Sequence, residues 1–154
     1  MSVLSWGKPK IETTPVTNGA PEVSAKWNEL PTPKEDSTQL NTTKGAEKTA
    51  TEEGGDVVDV RYAKNSYELV MEIFVKKGET RPFEDEDGLI TGEHAVRVTP
   101  EDETCEGILI ERSKVTVEET YTAADGKMLK YTFKALKPKQ GKTLKPYVKT
   151  PAES

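Results

Sequence analysis

The sequence has one cysteine, Cys105, and one histidine, His94, among its 154 residues. A single cysteine cannot form a disulfide within the chain, and a single histidine cannot by itself build a metal site or a catalytic relay. Cys105 also lies in the acidic run from Glu101 to Glu106, whose carboxylates disfavour the thiolate and so reduce its nucleophilicity. We therefore expect no enzymatic activity, no metal ion and no cofactor.

Long apolar runs are missing as well. The longest, from Leu69 to Val75, is interrupted by Glu72 and falls far short of the ~18 to 20 residues of a bilayer-spanning helix. Residues Met1 to Ile11 lack a charged segment followed by an apolar one, so we expect neither a secretory signal peptide nor membrane insertion. With 33% hydrophobic residues, 6% aromatics and a mean hydropathy of -0.71, the chain can bury one modest core. These values indicate a single domain with extended arms and hydrated loops.

Two short motifs resemble binding loops but depart from them. Gly141-Lys142-Thr143 ends like a phosphate-binding loop, yet Leu136 stands where that loop needs its first glycine. Glu84-Asp85-Glu86-Asp87-Gly88 is acidic like a calcium loop, but with Gly88 as the turn glycine, Phe83 and His94 fall on the first and last ligand positions. We reject the phosphate loop and interpret the acidic segment as a solvated turn.

Charge is distributed unevenly along the chain. Residues 1–78 carry 10 basic and 12 acidic residues, residues 79–126 carry 4 and 14, and residues 127–154 carry 8 and 1. The three segments therefore have net charges of -2, -10 and +7, which account for the -5 of the whole chain. An acidic middle argues against a conventional nucleic-acid-binding protein, which shows a basic stripe with interleaved aromatics. The basic C-terminal segment can meet an acidic surface, or it can be a solvated tail.

The hydrophobic pattern is that of β-strands throughout. Apolar and polar residues alternate from Tyr67 to Lys76, which predicts a strand with one buried face. Val57 to Tyr62 precedes it across the turn Ala63-Lys64-Asn65-Ser66, which predicts a hairpin of these two strands. Asp125-Gly126 predicts the turn of a second hairpin. Further strands are predicted at His94 to Thr99, Gly107 to Glu111, Val115 to Glu118 and Leu129 to Ala135. At most one short helix is expected, around Arg81 to Ile90, where Pro82 can open a turn and Gly88 can close it.

Segments outside this core are polar or proline-rich. Gln39 to Glu53 is a threonine-rich stretch with Gly45 inside it and almost no apolar face, so it predicts a long polar hairpin that is either a loose loop or completed by another subunit. Prolines 9, 15, 21, 31 and 33 disfavour interior strands near the N-terminus and favour extended arms. Trp6, Trp27 and Tyr147 are costly to leave in water and are expected to anchor such arms on neighbouring molecules, unless the termini are disordered.

Several short segments resemble the major tail tube proteins of tailed phages and prophages. They are short pieces spread along the chain: Ser2 to Pro9, Trp27 to Pro33, Ser37 to Leu40, Thr43-Lys44-Gly45, Glu53-Gly54-Gly55, Arg61 to Tyr67, Glu84 to Gly88 and Val98 to Asp102. The resemblance implies an all-β fold, a β-sandwich or partial barrel with one short helix, whose subunits form hexameric rings stacked into a hollow tube. It implies an N-terminal arm at 1–26, a β core at 27–136 that includes a long hairpin at 39–62, and a basic C-terminal arm at 137–154.

The resemblance also implies a function and partners. The chain would be a structural virion protein of the tail, assembled in the host cytoplasm, with tape-measure, tail-completion and baseplate proteins as partners. DNA would pass through without specific binding, which an acidic lumen favours because basic groups would retain it. The residues expected at subunit contacts are Trp6, Trp27, Gln39, Thr42, Lys44, Val57, Val58, Lys137, Lys139 and Tyr147. Those expected at the lumen or ring rim are Glu84, Asp85, Glu86, Asp87, Glu101 and Asp102.

Two other functions stay open. A monomeric or dimeric β-sandwich that binds or decorates a target would use the polar hairpin on a ligand, but it needs a concave apolar patch for which no aromatic cluster is evident. The inner tube of a contractile injection or secretion machine would share the fold and carry other cargo.

Overall fold

The structure is a computed structural model that describes residues 4, 7–17, 19, 21 and 26–148. The described chain is built of strands and turns and contains no helix, so the all-β prediction is confirmed. No helix in this part of the chain is therefore long and apolar enough to cross a bilayer. The strands are β1 (Lys10–Val16), β2 (Asn28–Glu29), β3 (Gln39–Thr43), β4 (Glu47–Thr51), β5 (Val57–Tyr62), β6 (Ser66–Phe74), β7 (Leu89–Thr99), β8 (Gly107–Thr122), β9 (Gly126–Ala135) and β10 (Lys145–Tyr147).

Eight strands form one antiparallel sheet and the other two form a second. The order in the main sheet is β2-β1-β7-β8-β9-β6-β3, with β10 paired to the first residues of β8, and the second sheet is the β4-β5 pair. The long strand β8 pairs with strands from both halves of the main sheet. Its N-terminal half contacts β7 and β10, whereas β9 pairs with its C-terminal half, from Ser113 onward.

The main sheet curls so that its two halves face each other, as in a β-sandwich or partial barrel. Leu40 and Leu69 from the β3–β6 side line the same cavity as Val98 and Ile108 from the β7–β8 side. Period-2 alternation directs one face of every long strand into this space. The buried core residues are Ile11, Leu30, Leu69, Met71, Ile73, Phe83, Val96, Val98, Ile110, Val115, Val117, Leu129, Tyr131, Phe133 and Ala135.

An irregular segment links the two edges of the curled sheet. The Leu30 N–H donates to the carbonyl of Ile11 on β1 at 2.8 Å, and the Lys34 N–H donates to the carbonyl of Glu72 on β6 at 2.7 Å. Ser37 extends this link, because its hydroxyl accepts the Glu72 N–H at 3.2 Å. Residues 30–37 therefore cover backbone groups that a partly open barrel would leave exposed.

The predicted hairpin of Val57–Tyr62 with the following strand is wrong. β5 pairs with β4, and β6 pairs with β3 and β9. The pairing register of β3 with β6 continues unchanged into that of β4 with β5, so the four strands form one long ribbon. Its turn lies at 52–56, and residues 63–65 are a bend within one side. The long hairpin expected at 39–62 thus exists, but Gln39–Thr43 pairs with β6 and belongs to the main sheet.

Two smaller expectations also differ from the structure. The segment around Arg81 to Ile90 has no helix; Glu86 and Leu89 form a β-bridge, and positive φ angles at Asp87 (51°) and Gly88 (88°) turn the chain tightly into β7. The strands expected separately at 107–111 and 115–118 are one continuous strand, because β7 and β9 support it in turn along its length.

The terminal segments contribute strands to the main sheet. β1 lies between β2 and β7, although the local prolines favoured an extended arm. Pro15 is tolerated because β2 covers only Glu12 and Thr13, so β1 is an edge strand where the proline lies. Near the other end, β10 pairs with Gly107 to Leu109 of β8. Parts of both segments expected as arms are therefore integral to the fold.

Candidate assembly interface

The β4–β5 hairpin projects from the main sheet without a core of its own. Every residue of β4 is exposed, and β5 is exposed except for half-buried Val60. The ribbon is held at its base by the Ala63 N–H, which donates to the Ala46 carbonyl at 2.8 Å, and by the Gly45 N–H, which donates to Asn65 Oδ1 at 3.1 Å. Gly45 is required here because a Cβ at this position would overlap the Ala63 carbonyl oxygen. The hairpin is thus joined to the sheet by hydrogen bonds at its base, and among the described residues the buried core cluster includes none of its side chains.

One face of this hairpin combines apolar residues of β5 with polar residues of β4. Val60 and Tyr62 pair with Thr49 and Glu47 and lie on the same face as them, and a bulge at the β4–β5 turn end brings Val57 opposite Thr51. Tyr62, Val57 and Val58 are 61%, 59% and 55% exposed. The opposite face carries the charged residues Lys48, Asp59 and Arg61. An amphipathic two-stranded ribbon in water is marginally stable and exposes groups that a partner can cover.

The turn of the hairpin is acidic. Glu52, Glu53 and Asp56 surround Gly54 and Gly55, which both adopt positive φ. The Glu52 N–H donates to the Asp56 carbonyl at 2.9 Å and closes the turn. None of these three carboxylates takes part in an ion pair among the described residues. The hairpin therefore ends in an uncompensated negative charge next to two exposed valines.

Two of the expected anchors, Trp27 and Tyr147, both contact Arg97 of the same chain. The Arg97 guanidinium lies 4.3 Å from the ring centroid of Trp27 and 5.2 Å from that of Tyr147. Its Nε donates to Glu12 Oε1 at 3.0 Å. Tyr147 is buried and Trp27 is half-buried. Arg97 therefore holds Trp27, just before β2, and Tyr147, the last residue of β10, against the outer face of β7 by cation–π contacts. Its ion pair with Glu12 adds a contact with β1.

The other predicted contact residues are scattered. Trp6 lies outside the described residues. Gln39, Thr42 and Lys44 are exposed, and the Lys44 ammonium lies 5.1 Å from the Tyr62 ring centroid. Lys137 Nζ donates to the Gly141 carbonyl at 2.6 Å, and the Lys139 N–H donates to the Gly19 carbonyl at 2.9 Å. Val57 and Val58 thus lie near the turn of the hairpin and Lys44 lies beside Tyr62 at its base, whereas Lys137 and Lys139 form hydrogen bonds with loops of the same chain.

The acidic candidates are divided between the two ends of the main sheet. Glu84 to Asp87 precede the first residue of β7, and Glu101 and Asp102 follow its last, about 30 Å away along the strand. Asp85 is engaged within its loop, because it accepts the Gly88 N–H at 2.9 Å and lies 3.6 Å from Arg81. Glu84, Glu86 and Asp87 are exposed.

The second acidic loop, at 100–106, is capped by its own side chains. Asp102 accepts the Thr104 hydroxyl at 2.6 Å and the Thr104 N–H at 3.0 Å, and these hydrogen bonds lower the pKa of Asp102. Glu101 accepts the Lys8 N–H at 3.3 Å. Asp102 therefore stays ionised at neutral pH, and acidic residues lie at both ends of β7.

The sequence did not predict an exposed row of side chains, Val75, Lys127 and Tyr121, at the end of the sheet opposite the hairpin. The Val75 N–H donates to the Lys127 carbonyl at 3.0 Å, and Lys127 pairs with Tyr121 across β8 and β9. Tyr121 is 75% exposed and Val75 is 39% exposed. The alternation of β8 puts Tyr121 on the face of Val115 and Val117, but only the tertiary structure shows that the core ends before it.

The single histidine, His94, packs against an aromatic residue of the core. His94 lies on the core-facing side of β7, with its ring 4.9 Å from that of Phe83 in an edge arrangement. Its Nδ1 is buried without a hydrogen-bond partner among the described groups, and burial lowers the pKa of His94. In the described part of the chain, no group of three or more His, Cys, Asp or Glu side chains is placed to hold a metal ion.

Comparisons with known proteins add no relative. No protein-family model matches the sequence, and no curated protein is significantly similar to it. A functional conclusion must therefore come from the chain's own geometry.

Proposed function

We propose that the protein is a structural subunit that assembles into hexameric rings stacked as a hollow phage tail tube. The observation that carries this proposal is the projecting β4–β5 hairpin, with its fully exposed strand β4 and the exposed apolar side chains of β5. An isolated polar ribbon gains little from its own packing, so its length and regular register are most simply explained by contacts with another subunit.

Ring closure accounts for the sheet edges. A head-to-tail contact around a closed ring uses two different surfaces of each subunit and leaves no unpaired strand edge. The outer edge of β3 and the two-residue strand β2 are the ends of the main sheet in the subunit. Obligate interfaces of this kind bury on the order of 2,000 to 5,000 Å².

The charge distribution supports a conduit that does not retain DNA. Three exposed carboxylates of the Glu84 to Asp87 loop and the capped loop at Glu101 and Asp102 present negative charge at opposite ends of the sheet. Three of the eight lysines of residues 127–154 form ion pairs among the described residues: Lys127 with Glu119, Lys134 with Glu68, and Lys145 with Glu111. A lumen lined by unpaired carboxylates repels phosphate and so lets DNA slide. In this proposal the partners are sister subunits and the tape-measure, tail-completion and baseplate proteins, and the location is the virion tail.

Negative-stain electron microscopy of the purified chain, across a series of protein and salt concentrations, tests the proposal. We expect hollow rings or tubes with sixfold end views. A chain that remains monomeric at every concentration, both alone and with a preformed tail-tip complex as nucleus, contradicts it.

A cavity favours the alternative of a binding module. It has a volume of about 640 Å³, an apolar floor of Leu40, Leu69, Val98 and Ile108, and a rim that includes Lys34 and Asp36. Ligand sites commonly have this size and this arrangement of apolar floor and polar rim. A stable monomer that binds an apolar fluorescent probe, and loses it on Ile108→Lys but not on Leu89→Lys, would favour this function over the tube.

A further inference from the structure

Two exposed surfaces of the described chain combine apolar and charged residues, and they lie at opposite ends of strand β6. The hairpin tip, defined as Glu52, Glu53, Asp56, Val57 and Val58, extends beyond the first residue of β6. The end patch, defined as Val75, Lys76, Lys77, Tyr121 and Lys127, lies just after its last residue. β6 has nine residues and is about 30 Å long, so the two sets cannot meet within one subunit.

The two sets have opposite charge. The hairpin tip carries three carboxylates outside any ion pair of the described chain. In the end patch, Lys127 pairs with Glu119 at 3.0 Å, which leaves Lys76 and Lys77 as exposed ammonium groups without an ion-pair partner in the described chain. The nearby carboxylate of Asp125 is engaged by Lys34 at 3.7 Å. Glu79 follows in the same turn, so the positive charge is local to Lys76 and Lys77.

The apolar groups complement each other as well. Val57 and Val58 are more than half exposed, and so is Tyr121. Tyr121 and Val75 lie on either side of Lys127 in one cross-strand row. An exposed tyrosine in a row with an aliphatic residue and lysines is a typical anchor site for an apolar and acidic partner.

We propose that the hairpin tip of one copy docks on the end patch of a second copy. This inference rests on the proposed self-assembly and names the two surfaces of one of its contacts. Because the surfaces differ, each docked subunit offers a new hairpin tip and a new end patch, so the contact repeats along an axis parallel to β6.

Two variants, each with one broken surface, test the contact. Val58→Asp breaks the hairpin tip, and Lys76→Glu with Lys77→Glu breaks the end patch. Each variant alone should require about tenfold more protein for half-maximal assembly, measured by light scattering. Mixed together, they should form a discrete 1:1 complex of subunits or of rings that does not grow, because one intact tip meets one intact patch.

Matched controls separate this contact from general damage. Ala50→Asp places the same charge on the opposite face of the hairpin, and Leu89→Asp changes a residue that is 68% exposed but outside the end patch. Both should assemble like the wild type. A charge exchange, Glu52→Lys and Glu53→Lys combined with the two end-patch reversals, should restore assembly that either pair of reversals abolishes.

The outcomes distinguish this inference from the proposed function. If the wild-type chain forms tubes but the end-patch variant assembles equally well, or the charge exchange fails to restore assembly, the contact is wrong while the tube stands. If the wild-type chain never assembles, both are overturned.

Discussion

At the scale of single residues, Arg97 has the most informative environment. Its side chain is 16% exposed and that of Glu12 is 13% exposed, so the ion pair is largely removed from water while two aromatic rings cover the guanidinium. Breaking such a pair costs more than breaking a surface ion pair, because the remaining charge stays largely removed from water without compensation.

We expect Arg97→Ala to lower the free energy of unfolding by about 2 to 3 kcal/mol, because Glu12 loses its partner and the two rings lose their cation. Arg97→Lys should lose less, since it keeps the charge but not the planar fork. Urea unfolding measures the difference. Arg61→Ala is the matched control, because its side chain is 84% exposed and should change stability by less than about 0.5 kcal/mol. Equal stability of the two alanine variants would contradict a stabilising role for the contacts of Arg97.

His94 gives a prediction for pH. Burial holds its folded pKa below the ordinary value of 6.5, so as the pH falls below 6.5 the unfolded chain takes up a proton that the folded chain refuses. Its contribution to stability is therefore complete above that pH and is lost as the pH falls, by up to about 1.4 kcal/mol per pH unit.

Urea unfolding at about pH 7.5 and about pH 5.5 measures this effect. The range lies above the ordinary pKa of 4.5 for Glu93, whose folded pKa the Arg112 hydrogen bond lowers further, so that carboxylate stays ionised in both states. His94→Gln should show a smaller loss of stability over the same range than the wild type. Identical losses in the two proteins would contradict the assignment.

At the scale of elements, the β4–β5 hairpin is regular in register but independent of the core. None of its residues belongs to the buried cluster, and the Ala63 N–H already closes the ribbon onto the Ala46 carbonyl at its base. The hairpin should therefore serve assembly rather than folding.

Replacing residues 47–62 by Asn-Gly, between Ala46 and Ala63, should leave the free energy of unfolding within about 1 kcal/mol of the wild type. Assembly into rings or tubes should be lost. Urea unfolding and electron microscopy of the same sample measure the two effects. Leu69→Ala provides the opposite pattern, because it empties a fully buried site and should cost about 3 kcal/mol while the hairpin remains. A shortened chain that unfolds readily, or one that still forms tubes, would contradict the division of roles.

Much of this element scale was predictable. The alternation of residues 67–76 and 129–135 predicted β6 and β9, and Asp125-Gly126 predicted the turn between β8 and β9. The pairing of Val57–Tyr62 was not, since a turn-like segment at 63–66 looks the same in sequence whether the chain reverses there or only bends. Whether the chain reverses at residues 63–66 depends on which strands pair with the two edges of β6. These edges pair with β3 and β9, so β5 cannot pair with β6.

At the scale of the whole molecule, the C-terminal segment packs on the rest of the fold as far as residue 148. β10 continues the edge of β8 that β9 leaves at Ala135, and Lys145 pairs with Glu111. Tyr147 then reaches Arg97 on the outer face of β7. A basic arm reserved for neighbouring subunits would not be packed in this way.

Removing residues 143–154 should accordingly lower the free energy of unfolding by about 3 kcal/mol, because β10, the Lys145–Glu111 pair and the Tyr147 ring are lost together. Lys142→Glu, an exposed charge just before the deletion, should leave stability nearly unchanged. Thermal and urea unfolding of the three proteins measure the effect. A truncated chain as stable as the wild type would show that the segment is dispensable for the fold.

The sequence by itself determined the fold class. Period-2 alternation and turn residues are local signals that can be found in the sequence directly. The tertiary structure decided which segments meet: it brought Trp27 and Tyr147 onto Arg97, separated the two acidic runs to opposite ends of β7, and left the hairpin tip and the end patch exposed. The physical reason is that strand pairing and burial are set by long-range competition for the same edges and the same core, which no local pattern records.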